Sequence, residues 1–495
     1  MEFLQEQLPA LQVVLPLVAA SLCALFRFGY LSWLITLSSS ILSFLVAVFL
    51  LLRVLEQGII SYEIGGWSPP FGIEYRVDLI NAFVLLIVSG VSAVIVPYTQ
   101  KSISARFDST EQSWFYCMYL LVLTGLLGVT ITGDAFNIFV FLEISSLASY
   151  AMIAMGRDRR GLTAAYQYLI MGTIGATFIV IGIGLLWAMT GTLNLYDLAG
   201  RLPEIKNTRP VLAALAFLTV GVSLKLALFP LHLWLPNAYA YGPSVASAFL
   251  AGTATKVAIY LLLRFFFTIF GGATFFTETP LPEILKILAL LAMFAASIVA
   301  IFQSNIKRML AYSSVAQIGF IVLGISYATE TSLTGAMTHM FNHAIMKAGL
   351  FLLLGAIMFR LGSVKIEALS GIGRKMPLTM AGFVILGLSL IGAPGTAGFI
   401  SKWYLGLGAL EQGEWWILVL IVSASLLTMI YIGRVVEVAY FREPTDEVVQ
   451  LKEAPSEMLW PAYLLIAAAI YFGFDTSFSA DLARQAAVLL VNAVY

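Results

Sequence analysis

Runs of about twenty apolar residues recur from one end of this chain to the other, and this repetition constrains the fold more than any other feature. A helix needs about 20 apolar residues to cross the hydrocarbon core of a membrane, whereas the strands of a membrane barrel alternate apolar and polar residues over about 10. The composition agrees, since 60% of the residues are hydrophobic and 11% are charged. The sequence therefore predicts an all-α polytopic membrane protein.

The apolar runs divide into about fourteen predicted membrane spans when they are read in windows of about 20 residues. The predicted limits are 9–26, 31–52, 78–98, 113–131, 136–155, 164–189, 211–240, 244–267, 284–303, 311–328, 333–359, 378–410, 415–438 and 459–474. The seventh and twelfth spans are predicted to be broken, at Pro230 and Pro394, because proline removes a backbone hydrogen-bond donor. An amphipathic segment from about Ala480 to Val494 is predicted to lie at the interface or to pack on the bundle.

The loops are too short for a separate soluble domain, so residues 1–495 are predicted to form a single membrane domain. The two broken spans lie five spans apart and each carries a lysine, a pattern typical of inverted-repeat transporters. Residues 113–267 and 284–438 are therefore predicted to be two inverted five-helix repeats, each forming a half-channel. One set of alternate loops carries fifteen Lys and Arg residues and the other eight, so the positive-inside rule predicts that both termini lie outside the cytoplasm.

Several function classes lack support in the sequence. The formal net charge is zero, which argues against a nucleic-acid partner. Cys23 and Cys117 lie in separate apolar runs without the spacing of a metal or redox site, and no nucleotide-binding fingerprint is present. We therefore expect neither a metal nor a cofactor. Glu2 and Glu6 precede the first apolar run without a basic residue, unlike a cleaved signal peptide, so this run is expected to remain as a span.

Lysines and one glutamate lie deep inside apolar spans. Lys225 and Lys256 each occupy a position that costs about 2.5–3.5 kcal/mol on insertion scales, which makes them functional candidates. Glu143 is the carboxylate that lies nearest the predicted middle of the membrane. A glutamate beside a lysine can hold or release a proton as their separation changes. A static ion pair is the alternative for Glu143, and snorkelling to an interface is the alternative for the lysines.

The eleventh span carries His339, His343 and Lys347 at every fourth position, so the three side chains share one helix face. Histidine changes its charge near physiological pH, which suits this stripe to passing protons. Zinc binding and a structural, hydrogen-bonded histidine pair are the alternatives. Lys402 follows the break of the twelfth span, where it either ends the proton relay or neutralises exposed carbonyl groups, and these roles are compatible. His232, just after Pro230, is not included in the relay.

Four stretches occur together in this order: FLEISS around Glu143, SLKLALFPLHLWLP around Lys225, SNIKRMLAYSS at 304–314 and HAIMKA at 343–348. With them the chain resembles the antiporter-like subunits shared by Mrp-type multisubunit cation/proton antiporters, respiratory complex I and membrane-bound hydrogenases. The resemblance covers about spans three to fourteen. It is greatest for the D-type subunits of Mrp antiporters, which the run YEIGGW at 62–67 favours. A lysine at position 402 departs from the glutamate of the M-type subunits of complex I. The L-type and large A-type subunits fit poorly, because no long lateral helix follows the last span.

The resemblance implies a role for each buried polar residue. Glu143 and Lys225 would pair near the entrance of a half-channel, and Lys256 would lie at its centre. Lys402 would lead to the exit, and the stripe of His339, His343 and Lys347 would join the two halves.

The resemblance also implies a transporter subunit, not an enzyme in its own right. This would be a proton-translocating subunit of a multisubunit Na⁺ or K⁺/proton antiporter, surrounded by other membrane subunits in the lipid bilayer of a bacterial cytoplasmic membrane. One alternative is a proton-pumping subunit of a redox-driven complex such as complex I or a membrane-bound hydrogenase. A second alternative is a membrane scaffold that transports nothing.

Overall fold

The computed structural model of the chain describes residues 6–156 and 158–492. The helices are α1 (Leu8–Phe26), α2 (Gly29–Gln57), α3 (Leu79–Ser104), α4 (Ser109–Ile131), α5 (Ala135–Ala154), α6 (Arg159–Thr190), α7 (Leu195–Arg201), α8 (Arg209–Leu226), α9 (Trp234–Tyr241), α10 (Ser244–Gly252), α11 (Ala254–Leu263), α12 (Gly272–Glu278), α13 (Leu281–Ile301), α14 (Ile306–Tyr327), α15 (Glu330–Leu361), α16 (Pro377–Ile391), α17 (Ala397–Glu411), α18 (Trp415–Phe441), α19 (Asp446–Val449), α20 (Ser456–Phe474) and α21 (Ser479–Asn492). Arg157, one of the basic residues in the charge count, and Val494, near the end of the predicted amphipathic segment, lie outside the described residues.

Among the described residues, 13 helices are long and apolar enough to cross a membrane, with 244–269 counted as one span. A pair of segments bent by 112°, Ile366–Arg374 and Pro377–Ile391, raises this number to 14 if it forms one span. The protein is therefore a multi-pass membrane protein, and the predicted all-α fold with about fourteen spans is confirmed. The division into two inverted repeats at 113–267 and 284–438, within a single membrane domain, stays a prediction.

Polar caps define where several spans begin. The carboxylates of Asp78, Asp108 and Asp134 accept hydrogen bonds from backbone amides in the first turns of α3, α4 and α5. The Asn305 side chain does the same for α14. The first amides of a helix have no partner within the helix, and hydrocarbon offers them none. These short polar side chains therefore mark the helix starts.

A small hairpin connects α2 with α3. Its strands β1 (Ile60–Glu63) and β2 (Glu74–Val77) pair antiparallel, with Ile60 opposite Val77 and Glu63 opposite Glu74. The run YEIGGW covers the end of β1 and the 3₁₀ turn at Ile64–Gly66, and its tryptophan follows that turn. Two adjacent glycines with positive φ, Gly65 and Gly66, allow the chain to turn there.

Helix α15 lies at the centre of the bundle. It packs against α3, α10, α14, α16, α17, α20 and α21. The amphipathic segment forms α21, which packs on this bundle through small and apolar side chains such as Ala483, Ala487 and Leu490. Polar side chains on α15 are thereby kept away from lipid, and this positions the candidate site.

Three of the predicted spans are interrupted in the part of the chain that the structure describes. In the seventh, α8 ends at Leu226, Ala227 takes the left-handed conformation with φ 60°, and α9 begins at Trp234. In the twelfth, α16 ends at Ile391 and α17 begins at Ala397. The eighth span, predicted to be continuous, is interrupted at Thr253 between α10 and α11 and ends in a π-helical stretch from Arg264 to Ile269.

The charge count assigned to loops three cations that the structure buries. Arg264, Lys286 and Lys307 are 1%, 8% and 3% exposed, and all three lie in helical segments. Arg264 and Lys286 fall inside the predicted spans 244–267 and 284–303, and Lys307 lies in the first turn of α14. A hydropathy window does not detect that neighbouring elements cover these side chains.

Candidate functional site

Glu143 and Lys225 form an ion pair between α5 and α8. The Lys225 ammonium donates to Glu143 Oε1 at 3.1 Å and to Ser146 Oγ at 2.9 Å. The Lys225 side chain is 6% exposed and the Glu143 side chain 23%. Ser146 lies three residues after Glu143, so both acceptors share one face of α5. The lysine therefore has two side-chain acceptors in a largely buried setting.

The break of the seventh span holds Lys225 at the end of a helix. Lys225 is the second-last residue of α8, where the carbonyl groups carry partial negative charge that favours a cation. The Trp234 indole donates to the Leu224 carbonyl at 2.9 Å and so satisfies one acceptor at this end. His232 stacks on Phe229 with ring centroids 5.2 Å apart, and its Nδ1 has no hydrogen-bond partner among the described residues.

A small cavity lies between the ion pair and α11. It has a volume of about 40 Å³, and its lining includes Lys225, Ser146, Ser149 and Tyr168. One water needs about 15 Å³ and two or more polar partners. The cavity is therefore large and polar enough for water on the side of Lys225 that faces the helix of Lys256.

Lys256 lies just beyond the interruption at Thr253. It is 0% exposed, and its ammonium donates to the Ala251 carbonyl and, at 3.4 Å, to Thr255 Oγ1. No carboxylate lies within ion-pair distance of it in the described part of the chain. The interrupted helix therefore supplies a main-chain acceptor for an amine that has no counter-charge.

The two histidines of α15 lie one turn apart with parallel rings. Their centroids are 6.1 Å apart and their planes differ by 3°. His339 contacts Ser401 Oγ through Nδ1 at 2.7 Å and Gln317 Oε1 through Nε2 at 2.9 Å. Neither ring nitrogen of His343 has a hydrogen-bond partner among the described residues.

The hydrogen bonds of His339 are compatible with both of its charge states. A neutral ring with the proton on Nε2 donates to Gln317 and accepts from Ser401 at Nδ1. A protonated ring donates through both nitrogens, and the Ser401 hydroxyl can then donate to the Gly398 carbonyl at 3.1 Å. The ring can therefore gain or lose a proton without leaving a partner unsatisfied.

Lys347 continues the stripe one turn beyond His343. It is 0% exposed and donates to the Leu310 carbonyl at 2.8 Å and to the Ser313 hydroxyl of α14. As with Lys256, its acceptors are uncharged.

Lys402 binds the freed end of α16. Its ammonium donates to the carbonyl groups of Leu390 and Ile391 at 3.1 and 2.8 Å and to Ser425 Oγ at 2.9 Å. It also lies 4.6 Å from the centroid of the Phe320 ring. Since Ser401 contacts His339, the histidine pair and Lys402 are linked through adjacent residues of α17.

The structure thus places the seven predicted site residues inside the bundle. We refer to Glu143, Lys225, Lys256, His339, His343, Lys347 and Lys402 as the polar row. Within it only Glu143 is a carboxylate, against four lysines. A charge on one buried amine disfavours a charge on a neighbouring amine, so the protonation states of the row are coupled. Pro230 and Pro394 lie in the breaks after α8 and α16.

Several polar partners of the row were missed from the sequence. They are Ser146, Ser313, Gln317, Ser401 and Ser425. Serine is common in membrane helices, so its presence alone gives no signal. Ser146 was the easiest of them to predict, because it lies three residues after Glu143 and therefore on the same helix face.

A second buried ion pair was also missed. Arg264 Nη2 lies 2.6 Å from Asp78 Oδ1, with the two side chains 1% and 2% exposed. Asp78 also caps α3, and Arg264 donates to the Tyr260 hydroxyl at 3.0 Å. The pair ties the start of α3 to the end of the eighth span. An arginine within a predicted apolar span was its sequence signal.

The comparisons with known proteins cover almost the whole chain. Residues 132–428 match the family model described as "NADH:quinone oxidoreductase/Mrp antiporter, TM". The chain is 45% identical to the N-type subunit of NADH-quinone oxidoreductase from Desulforudis audaxviator over 381 residues, which is 77% of this chain and 75% of that one. It is 31% identical to the D-type subunit of the Na⁺/H⁺ antiporter from Alkalihalophilus pseudofirmus over 470 residues, 95% of this chain and 94% of that one.

Two solved complexes contain a chain of the same fold. One is the Mrp complex from Dietzia sp. DQ12-45-1b, with a TM-score of 0.91 and 24% identity over 99% of this chain and 98% of that one. The other is the membrane-bound sulfane sulfur reductase, an archaeal respiratory membrane complex, with a TM-score of 0.90 and 29% identity over 98% of both chains. Together with the family match, they confirm the superfamily resemblance carried by the four sequence stretches.

Proposed function

This chain belongs to the family of membrane subunits shared by NADH:quinone oxidoreductases and Mrp antiporters, and on that premise we propose that it is the proton-translocating subunit of a multisubunit Na⁺ or K⁺/proton antiporter. The observation that carries the proposal is the polar row. Ionisable groups are costly at membrane depth and mark ion or proton pathways there. A structural role explains a buried ion pair, but it gives no reason for three buried lysines of the row, Lys256, Lys347 and Lys402, whose acceptors are uncharged.

The Glu143 and Lys225 pair provides a charge switch at one end of the row. At 3.1 Å the carboxylate favours a charged amine. When the two side chains separate, this support weakens and the amine can give up its proton. The cavity beside Lys225 and Ser146 would hold the water through which that proton leaves toward Lys256.

The rest of the row would carry the proton to the other half of the molecule. No direct hydrogen bond joins Lys256 to His343 in the described part of the chain, so this transfer also requires water. The two partnerless nitrogens of His343 are suited to bind such water. His339 then connects through Ser401 to the neighbourhood of Lys402.

The length of the match favours the antiporter over the redox-driven alternative. The D-type antiporter relatives from Alkalihalophilus pseudofirmus and Bacillus subtilis align over 94–97% of both chains. The N-type oxidoreductase relative aligns over about three quarters. By this proposal the chain lies with other membrane subunits in a bacterial cytoplasmic membrane, with both termini outside.

A redox-driven proton pump is the second candidate. The 45% identity to a subunit of NADH-quinone oxidoreductase and the fold shared with the sulfane sulfur reductase favour it. The polar row would serve such a pump equally well, so the two candidates differ in what drives the proton and not in its path.

Proteoliposomes that contain the complete purified complex test the proposal. A pH gradient is imposed without any redox substrate, and NaCl or KCl is then added. The antiporter requires that the added cation collapse the gradient. If protons move only after a reduced electron donor is supplied, the redox-driven pump is correct. If neither treatment moves protons, the chain is a scaffold.

A further inference from the structure

A second polar cavity lies at one end of the bundle, away from the polar row. Its volume is about 290 Å³, and no residue of the row lines it. This exceeds by more than ten times the roughly 15 Å³ that one water needs. Because it lies between helix ends, it opens near the surface of the membrane rather than at its centre.

Positive charge dominates the lining of this cavity. Four cations line it, and the single carboxylate among the described lining residues is Asp158. The cations are Arg106, Arg160, Lys307 and Lys365. Asp158 is already bound by Arg160, at 2.6 Å between Oδ2 and Nη2, and also caps α6. The one carboxylate among the described lining residues is therefore paired with Arg160, an exposed cation, and not with the buried Lys307.

Lys307 is buried deepest of the four. It is 3% exposed, and it donates to the Gly242 carbonyl over a long 3.4 Å. No carboxylate lies within ion-pair distance of its ammonium in residues 6–156 and 158–492. Lysines are rarely buried unless they are paired, and an unpaired buried charge is costly. The Lys307 ammonium is therefore buried without a counter-charge among the described residues.

Helix ends add to the positive potential of the cavity. Three helices begin at its wall: α6 after Asp158, α10 after Pro243 and α14 after Asn305. Helix N-termini carry partial positive charge and exposed amides. Pro243 gives α10 no side-chain cap, so its first amides remain free to bind a ligand.

We propose that this cavity binds a phosphate group, and that the phosphodiester of an anionic membrane lipid is its source. Basic pockets between membrane helices bind anionic headgroups. The cavity lies at the helix ends on the face that the charge count predicts to be cytoplasmic. A bound phosphate would bridge the ends of α6, α10, α14 and α15. This inference is independent of the proposed transport function.

Native mass spectrometry of the complete complex, stripped of lipid and titrated, tests the site. The three probes are phosphatidylglycerol, zwitterionic phosphatidylcholine and inorganic phosphate. The variants are Lys365→Gln, which changes an exposed side chain and should fold normally, and the double variant Lys307→Gln/Lys365→Gln. Lys307→Arg keeps the charge. Lys452→Gln removes an exposed lysine outside the cavity and is the matched control.

We expect one phosphatidylglycerol to bind preferentially. A cation near the membrane surface contributes about 1 kcal/mol, so each removal should weaken binding about fivefold and the double variant about 25-fold. Lys307→Arg and Lys452→Gln should bind like the wild type. If inorganic phosphate binds with the same affinity as phosphatidylglycerol, the cavity is a phosphate site but its ligand is the free anion and not a lipid. Unchanged affinity in Lys365→Gln and the double variant, or equal binding of phosphatidylcholine, would overturn the proposal.

Discussion

Replacing the carboxylate of Glu143 tests the charge switch most directly. Glu143→Gln keeps the size of the side chain and removes its charge, so Lys225 retains Ser146 but loses its ionic partner. Two unit charges 3.1 Å apart attract each other by about 5.4 kcal/mol at an effective dielectric constant of about 20. If the working cycle separates them to about 7 Å, the attraction falls to about 2.4 kcal/mol.

When the pair separates, the free energy of protonating Lys225 therefore changes by about 3 kcal/mol. This corresponds to a factor of about 150 in the protonation equilibrium of the amine. We therefore expect Glu143→Gln to lower cation/proton exchange by about two orders of magnitude. Glu143→Asp keeps the negative charge but places it about 1.4 Å farther from the Lys225 ammonium, which weakens the attraction by about 1.7 kcal/mol. Cation/proton exchange in this variant should therefore fall by only about 10- to 20-fold.

The assay uses everted membrane vesicles from cells that express the complete complex and lack other antiporters. Respiration acidifies the vesicles, and a pH-sensitive dye reports how far added NaCl or KCl collapses the gradient. An immunoblot and a native gel measure how much complex has assembled. Wild-type exchange in Glu143→Gln, with normal assembly, would refute the switch. Equal loss in the Asp and Gln variants would refute its electrostatic basis.

Three further predictions concern other buried residues. Lys256→Met fills the same space but cannot carry a proton, so exchange should be lost while assembly is normal; normal exchange in the vesicle assay would remove Lys256 from the path. His339→Leu leaves the buried Gln317 Oε1 without its donor and should cost about 1–3 kcal/mol of stability as well as exchange, whereas His343→Leu should reduce exchange alone because its ring nitrogens have no partner among the described residues. Thermal unfolding of the purified complex checks this contrast, and equal destabilisation would contradict it. Arg264→Met leaves the buried Asp78 carboxylate with its backbone amides but without a counter-charge and should cost about 3–5 kcal/mol, measured as less assembled complex. Adding Asp78→Asn should restore part of the yield, and a normal yield in the single variant would show that the pair is dispensable.

Much of the fold was predictable because the hydrophobic effect and the length of a membrane span leave few choices. The approach of Glu143 to Lys225 could also be expected, because a buried charge needs a partner and few candidates were present. The spacing of His339 and His343 likewise predicted stacked side chains, and their rings are parallel.

What could not be predicted depends on contacts between distant parts of the chain. The interruption at Thr253 has no proline, and Gly252 beside it is one of 40 glycines in the chain, so the local sequence does not distinguish it from a continuous helix. Asp78 and Arg264 are 186 residues apart, and only the packing of α3 against the eighth span brings them together. Ser425 and Gln317 become partners of the row for the same reason.

Three of the four lysines in the row donate to carbonyl oxygens of the main chain, at Ala251, Leu310 and Leu390. Every amino acid supplies this atom, so no substitution at those positions deletes the acceptor. Alanine scanning will therefore undercount the groups that hold the amines in place. The residues at these positions can therefore differ between relatives as long as the path of the backbone is retained. The acceptors of these lysines depend on the backbone conformation and not on the residue type.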